Sequence, residues 1–268
     1  MLKKRLIGVV TVKNGWAVQS FGYRHYLPLG KPECLVENLD RWGADEILVQ
    51  VIDRSIKGVG PDFDLLERIG KLGLKTPLIY AGGIRSISDG VALVQMGADR
   101  VVVDSLIHED PVTIKGLSER LGAQALIASL PLSLQGNSLV WFDYRFKTSK
   151  PIPEVVLDLI KFGIVSEVLI SNWENEGVSG GFKQKLVEGF SVKSASIIAF
   201  GGISKPEQMS VLLQYPEVSA VAIGNFLSYR EHAIQAYKEA LTSLPIRLST
   251  YESKYSLKND TNVFHSIL

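Results

Sequence analysis

The sequence predicts an α/β fold, a (βα)8 TIM barrel made of two duplicated half-barrels, and three observations carry that reading. Short β-branched runs alternate with longer helical patterns, which is the signature of repeated βα units. A Gly-Gly motif recurs as AGGIRS at 81–86 and FGGISK at 200–205, a shift of 119 residues. The length, 268 residues, accommodates one barrel of about 250 residues.

The first strand is expected over 5–12 (RLIGVVTV). The opening residues carry a basic cluster, but the apolar stretch behind it is too short for a signal peptide and reads as this strand. The second, third and fourth strands are expected over 46–52 (EILVQVI), 77–81 (PLIYA) and 100–104 (RVVVD). The other half supplies 124–130 (QALIASL), 167–172 (EVLISN), 196–200 (SIIAF) and 219–223 (SAVAI). Most of these runs are apolar on both faces, as in a parallel sheet covered by helices outside and filled by side chains inside. The repeat extends beyond the glycines. The same shift lays Gly58-Val59 on Gly177-Val178 and Phe63 on Phe182, and RVVVDSLI (100–107) matches AVAIGNFL (220–227) at a shift of 120. The expected organisation is therefore a barrel over 1–249, with half-barrels at about 1–122 and 123–248. A polar tail without periodicity follows over 250–268.

Composition narrows the function class. Hydrophobic residues make up 46% and charged residues 21%, so a sizeable core is expected. With 29 basic against 28 acidic residues, the net charge of +1 gives no basis for nucleic-acid or membrane attraction. The single cysteine, Cys34, excludes an intramolecular disulfide and a cysteine-based metal cluster. No run approaches the roughly 18 apolar residues of a membrane helix. The expectation is a soluble cytoplasmic protein with no metal and no cofactor.

The two Gly-Gly loops are the first candidate site. Gly82 and Gly83 follow the third strand, and Gly201 and Gly202 follow the seventh, each just before a helix start. Without a Cβ, such loops let backbone N–H groups close around an anion, and the helix start adds positive character. The neighbouring strand ends offer Asp104-Ser105 and Gly224-Asn225 to complete each cradle, although Asp104 brings a negative charge. Cradles on opposite sides of the mouth point to a phosphorylated, elongated small-molecule ligand with a phosphate at each end. Most Gly-Gly pairs, however, are only tight turns.

These motifs carry a resemblance. IGVVTVKNG (7–15), GADEILV (43–49), AGGIRS, GADRVVV (97–103), LGAQ (121–124) and EVLISN…EGVSGGF (167–182) are similar to the cyclase subunit of imidazole glycerol phosphate synthase over about residues 1–248. The sister isomerase of histidine biosynthesis shares the duplicated barrel but matches GADEILV and EVLISN…EG less well. The resemblance implies a glutaminase subunit docked beneath the barrel as a heterodimer, with ammonia rising through it to a bisphosphorylated ribonucleotide. It also implies two catalytic aspartates, ending strands one and five. Here those positions hold Thr11 and either Leu130 or Pro131, depending on the loop alignment. A basic residue of the first loop is replaced by Gln19, and the aspartate usual after strand two by Val51. None of these can exchange protons near neutral pH, so a divergent paralogue is expected.

Rim carboxylates could substitute as acid and base: Asp53 and Glu176 foremost, with Glu174 and Asp104, against the alternative that they cap loops. His108 reads as a helix-entry residue. At the opposite end Arg5, Glu46, Arg100 and Glu167 each begin a strand. They resemble the family's charged ring, the ammonia gate, with a mutually satisfied plug as the alternative. Asp45 and Asp99 match positions that face the glutaminase. The leading expectation is a barrel that pairs with a glutaminase and hands ammonia to a non-histidine acceptor, such as a surface-polysaccharide sugar converted to an amidino form, with a third, ammonia-accepting enzyme as a further partner. The alternatives are a genuine cyclase and lyase of histidine biosynthesis, and a non-catalytic phosphate-metabolite binding module.

Overall fold

The computed structural model describes residues 3–248, so the 250–268 tail lies outside the described residues. Eight parallel strands close on themselves: β1 (Arg5–Lys13), β4 (Glu46–Val51), β5 (Leu78–Ala81), β6 (Arg100–Val103), β7 (Leu126–Gln135), β10 (Glu167–Asn172), β11 (Ser196–Phe200) and β12 (Val218–Ile223). Each pairs with the next in that order, β7 pairs with β10, and β12 returns to β1. The fold is a (βα)8 barrel.

Alternation along each strand sorts the side chains into two cores. Leu6, Val10, Ile47, Val49, Val101, Val103 and their equivalents point outward and pack on surrounding helices such as Pro32–Arg41 and Phe63–Gly70. Residues one place along point to the axis, where Ile7, Val9, Leu48, Ile79, Val102, Ile127, Leu169 and Ile198 form a separate interior cluster. Four buried isoleucines, Ile7, Ile79, Ile127 and Ile198, come from alternate strands, the layering expected of such barrels. Each contributes roughly 1.5–3 kcal/mol through removal from water.

Four strands were not expected. β2 (Trp16–Phe21) and β3 (His25–Gly30) continue β1 as antiparallel hairpin strands, and β8 (Ser138–Asp143) and β9 (Thr148–Lys150) continue β7 in the same way. The signals were two-residue turns. Asn14-Gly15 joins β1 to β2 with φ values of 50° and 79°, the conformation Asn-Gly favours in tight hairpins. Gly136-Asn137 joins β7 to β8 with Gly136 at φ 63°. β7 therefore runs on to Gln135, past the 124–130 expected from its apolar core. The two hairpins stand at equivalent places in the two halves and fold over the mouth.

The Gly-Gly loops are equally matched. Gly82 and Gly83 have φ of 125° and 75°, and Gly201 and Gly202 have 98° and 81°. A Cβ on Gly82 would lie 2.2 Å from the Val51 carbonyl oxygen, and one on Gly201 would lie 2.7 Å from that of Asn172. Glycine is thus demanded by packing alone. Gly15 has a similar positive φ but nothing within 4 Å of its hypothetical Cβ. Gly15→Ala should therefore cost about 1 kcal/mol, and Gly82→Ala about 3 kcal/mol or more from strain plus clash. Urea unfolding of both variants measures the difference; equal losses would show that the loop relaxes freely.

Candidate functional site

At the base of the axis, Arg5, Glu46, Arg100 and Glu167 form a closed ring of alternating charge. Arg5 Nη1 lies 2.7 Å from Glu46, Arg100 Nη1 lies 2.5 Å from Glu167 and 3.5 Å from Glu46, and Arg5 Nη2 also bonds Glu167. The side chains are only 8 to 13% exposed. The two carboxylates differ. Burial raises Glu46 above the ordinary range, against the pull of Arg5 and Arg100. Burial acts on Glu167 too, but both arginines and the Ser219 hydroxyl, which donates to it at 2.6 Å, hold it below that range. Removing one member of such a ring leaves a buried charge uncompensated, a loss of about 3–5 kcal/mol.

Asp45 and Asp99, expected at a partner surface, behave alike toward the backbone. Each accepts a backbone N–H at the start of a neighbouring strand: Leu6 N–H, second in β1, to Asp45 at 2.8 Å, and Leu78 N–H, first in β5, to Asp99 at 2.7 Å. Asp99 is exposed. Asp45 is a correction: it is buried, and its other oxygen pairs with the buried Lys238 at 2.8 Å, so its charge is satisfied inside the fold.

The mouth holds a cavity of about 720 Å³, a volume typical of small-molecule sites. Its floor includes Gln50, Asp104, Ser129, Pro131 and Ser171; its walls include Tyr23, Tyr26, Phe142, Tyr144 and Trp173; Lys13, Arg24 and Lys147 reach it as cations. Trp173 and Phe142 stack at 3.7 Å. The Gly82-Gly83 loop and Ser105 form one wall. There the Tyr144 hydroxyl approaches Ser55 and Ser105. Asp104 faces the same cavity, and burial pushes its pKa up to about 7, opposed by Ser129 and Arg145.

The second Gly-Gly loop lies beside a small pocket and at the edge of a wider cleft. Gly201, Gly202, Gly224 and Asn225 line a pocket of about 10 Å³, room for about one water, and Gly224 and Asn225 also border a cleft of about 370 Å³. Asn225 is occupied by the first hairpin: its side chain accepts from Ser20 N at 3.0 Å and donates to Ser20 O at 2.5 Å. The Ser20 hydroxyl donates to the buried Glu176 at 2.8 Å. Burial lifts Glu176 to about 7, against the bonds from Ser20 and the backbone of Tyr23 and Gly22. Glu176 thus lines this small pocket and does not line the large cavity.

The remaining expectations divide. On strand five, Pro131 faces the cavity and Leu130 belongs to the outer core. Thr11 is buried and lines a separate cleft of about 370 Å³ beside Trp42 and Tyr229. Gln19 is buried in the hairpin, and Val51 lines the cavity. Asp53 is corrected as an acid–base candidate, because it pairs with Lys57 at 2.5 Å outside the cavity. Glu174 lies 3.5 Å from Lys183. His108 packs edge-on to Trp141 at 4.1 Å, and burial lowers its pKa to about 4. Tyr23, Gln50, Ser129, Ser171 and Tyr144 were missed, although inward alternation from Glu46, Arg100 and Glu167 reaches Gln50, Asp104 and Ser171 directly.

Among the described residues, no group of three or more His, Cys, Asp or Glu side chains could hold a metal, and no helix is long and apolar enough to cross a membrane.

A family model described as "Histidine biosynthesis protein" matches residues 5–233. A Vibrio vulnificus (strain YJ016) protein, provisionally named imidazole glycerol phosphate synthase subunit hisF2, is 30% identical over 257 residues, 93% of each chain. The imidazole glycerol phosphate synthase subunit HisF of Dehalococcoides mccartyi (strain BAV1) is 29% identical over 92% of this chain and 99% of its own. The HisF subunit of Staphylococcus carnosus (strain TM300) is 29% identical over 90% of this chain and 96% of its own.

The two raised carboxylates predict a pH dependence. Asp104 and Glu176 stand near 7 in the folded chain and near 4 when unfolded. The folded state therefore binds the extra protons, and stability rises as pH falls through 7 toward about 4. Between pH 8 and 5.5, Asp104 alone should add about 2 kcal/mol. Urea unfolding of Asp104→Asn should lose that increment; an unchanged pH dependence would contradict the assignment.

Proposed function

The chain belongs to the histidine biosynthesis protein family, and from that premise we propose that it is the barrel partner of a glutaminase subunit. It takes ammonia at the charged base and delivers it along the axis to an acceptor other than the bisphosphorylated ribonucleotide of the family's cyclases. The observation that carries this reading is the contrast between the two ends. The base holds a complete ion-pair ring, whereas Pro131 and Thr11 can neither donate nor accept a proton near neutral pH. At the second Gly-Gly loop, Ser20 is bonded to both Asn225 and Glu176, which leaves little room for a second phosphate in the small pocket there.

The interior supports passage of a small neutral molecule. Above the ring lie apolar layers that include Ile7, Ile79, Ile127 and Ile198, then Leu48, Val102 and Leu169. Such a medium strongly disfavours ions relative to neutral molecules, so ammonia crosses more readily than ammonium. The arginine–glutamate ring is where an ammonium ion would be stopped or stripped of its proton. Asp99, exposed beside the ring, is the surface contact for the glutaminase. A phosphorylated ligand at the open Gly82-Gly83 loop would regulate delivery or belong to the acceptor. An amino or amidino sugar, made with a third enzyme for a surface polysaccharide, fits an acceptor that receives one nitrogen.

Titrating the purified chain into a glutaminase subunit from the same organism, with glutamine hydrolysis as the readout, tests the pairing. The expected result is saturable stimulation. Asp99→Asn, which keeps the bond from Leu78 N–H but loses the charge, should weaken association roughly threefold to tenfold. No complex and no stimulation would sink the proposal.

A further inference from the structure

The cleft of about 370 Å³ shares no lining residue with the large cavity. It opens between the end of β1, the helix Pro32–Arg41 and the connection from β12 to the helix Ala233–Ala240. Its walls are mainly apolar: Val10, Leu39, Trp42 and Leu227, with Val18 and Leu29 from the first hairpin. A concave apolar space of this size with a few polar groups on it is the usual form of a small-molecule site.

The charges on the cleft are an adjacent pair of opposite sign, Arg230 and Glu231, both exposed. Among the described residues neither forms an ion pair. The Tyr237 phenol feels Arg230, but its hydroxyl already donates to the Ser204 carbonyl at 3.0 Å. Next along the chain, His232 holds φ 55° and ψ 31° at the helix start, a left-handed conformation that a non-glycine residue adopts only at a cost. Its ring lies 6.0 Å from that of Trp42, the aromatic wall of the cleft. Such strain is concentrated at ligand clamps and active sites. A phosphate does not suit this place. Arg230 is the one cation on the cleft among the described residues, Glu231 offsets it, and the Asn225 side chain at the edge is taken by Ser20.

We propose that this cleft binds a free α-amino acid with a large apolar side chain. The carboxylate pairs with Arg230, the ammonium with Glu231, and the side chain lies against Leu39 and Trp42. A lone anion would meet Glu231 and a lone cation would meet Arg230, so the charge pair selects a zwitterion. Burial of the side chain supplies most of the affinity, because exposed ion pairs contribute little. Val18 and Leu29 belong to the hairpin that carries Tyr23 to the large cavity. An occupant therefore braces the element that folds over the mouth, which makes the cleft an effector site.

The test titrates L-phenylalanine and L-leucine into the 15N-labelled chain at neutral pH. The controls are 3-phenylpropionate and phenethylamine, which each lack one charge, and glycine, which lacks the side chain. Saturable shifts are expected at the amides of Val18, Leu29, Leu39 and Leu227, with weaker binding of all three controls. Arg230→Gln and Glu231→Gln should each raise the apparent dissociation constant about fivefold, the value of one exposed charge pair. Both positions are exposed, as is Ser228, where Ser228→Trp fills the cleft and should abolish binding. Equal binding of 3-phenylpropionate or phenethylamine would overturn the zwitterion site. So would shifts centred on the Gly82-Gly83 loop, or no saturable shift with either amino acid.

Discussion

A closed parallel barrel points every second residue of each strand at one axis, and the chain's chemistry is stacked on that constraint. Glu46, Leu48 and Gln50 on β4 share a phase, as do Arg100, Val102 and Asp104 on β6, with Asp104 just past its end, and Glu167, Leu169 and Ser171 on β10. One register therefore places a charged ring at the base, apolar layers in the middle and hydrogen-bond acceptors at the top. A slip of one residue would turn all three levels outward together. The ring depends on this register most strictly. Buried ions carry desolvation penalties of several kcal/mol each, offset only when the opposite charges and remaining donors are all in place. Ser166, Ser196 and Ser219 complete that satisfaction.

The two hairpins reshape the other end of the axis. In a barrel with two equivalent Gly-Gly loops, the simplest ligand has two phosphates. Here the β1 hairpin brings Ser20 to the second loop, where Asn225 and Glu176 hold it. The β7 side brings Tyr144 to the first, beside Ser55 and Ser105. The pocket at the second loop is small, while the first loop opens into the large cavity. A buried carboxylate stands at each loop, Asp104 at one and Glu176 at the other, and both hold their protons to about neutral pH. That environment favours donors and neutral or cationic nitrogen over a pair of dianions.

Much of this was legible in the sequence. The eight strands, the matched Gly-Gly loops and the four ring residues follow from apolar runs, repeat spacing and strand starts. The hairpins were signalled by Asn14-Gly15 and Gly136-Asn137, but strands that read as apolar cores drew attention away from their polar continuations. Asp45 was matched to a partner-facing position by resemblance alone, and its burial was not legible from its neighbours in sequence. Its partner, Lys238, lies 193 residues away in sequence and only the closed fold brings it near. Asp53 failed for a local reason: Lys57, one helical turn on, takes its charge. The acceptor layer was hidden because Gln50 and Ser171 are unremarkable alone and acquire meaning only in phase with the ring.

The account's central claim is that the axis delivers ammonia while the mouth no longer closes an imidazole ring. The most direct test supplies the family's ribulosyl bisphosphate ribonucleotide with ammonium salt at elevated pH and follows formation of imidazole glycerol phosphate, using a HisF protein as the positive control. The account predicts no product above background, because Thr11 and Pro131 cannot move protons. Turnover comparable to the control would contradict it, and would move the acid–base role to Asp104, the carboxylate that faces the large cavity.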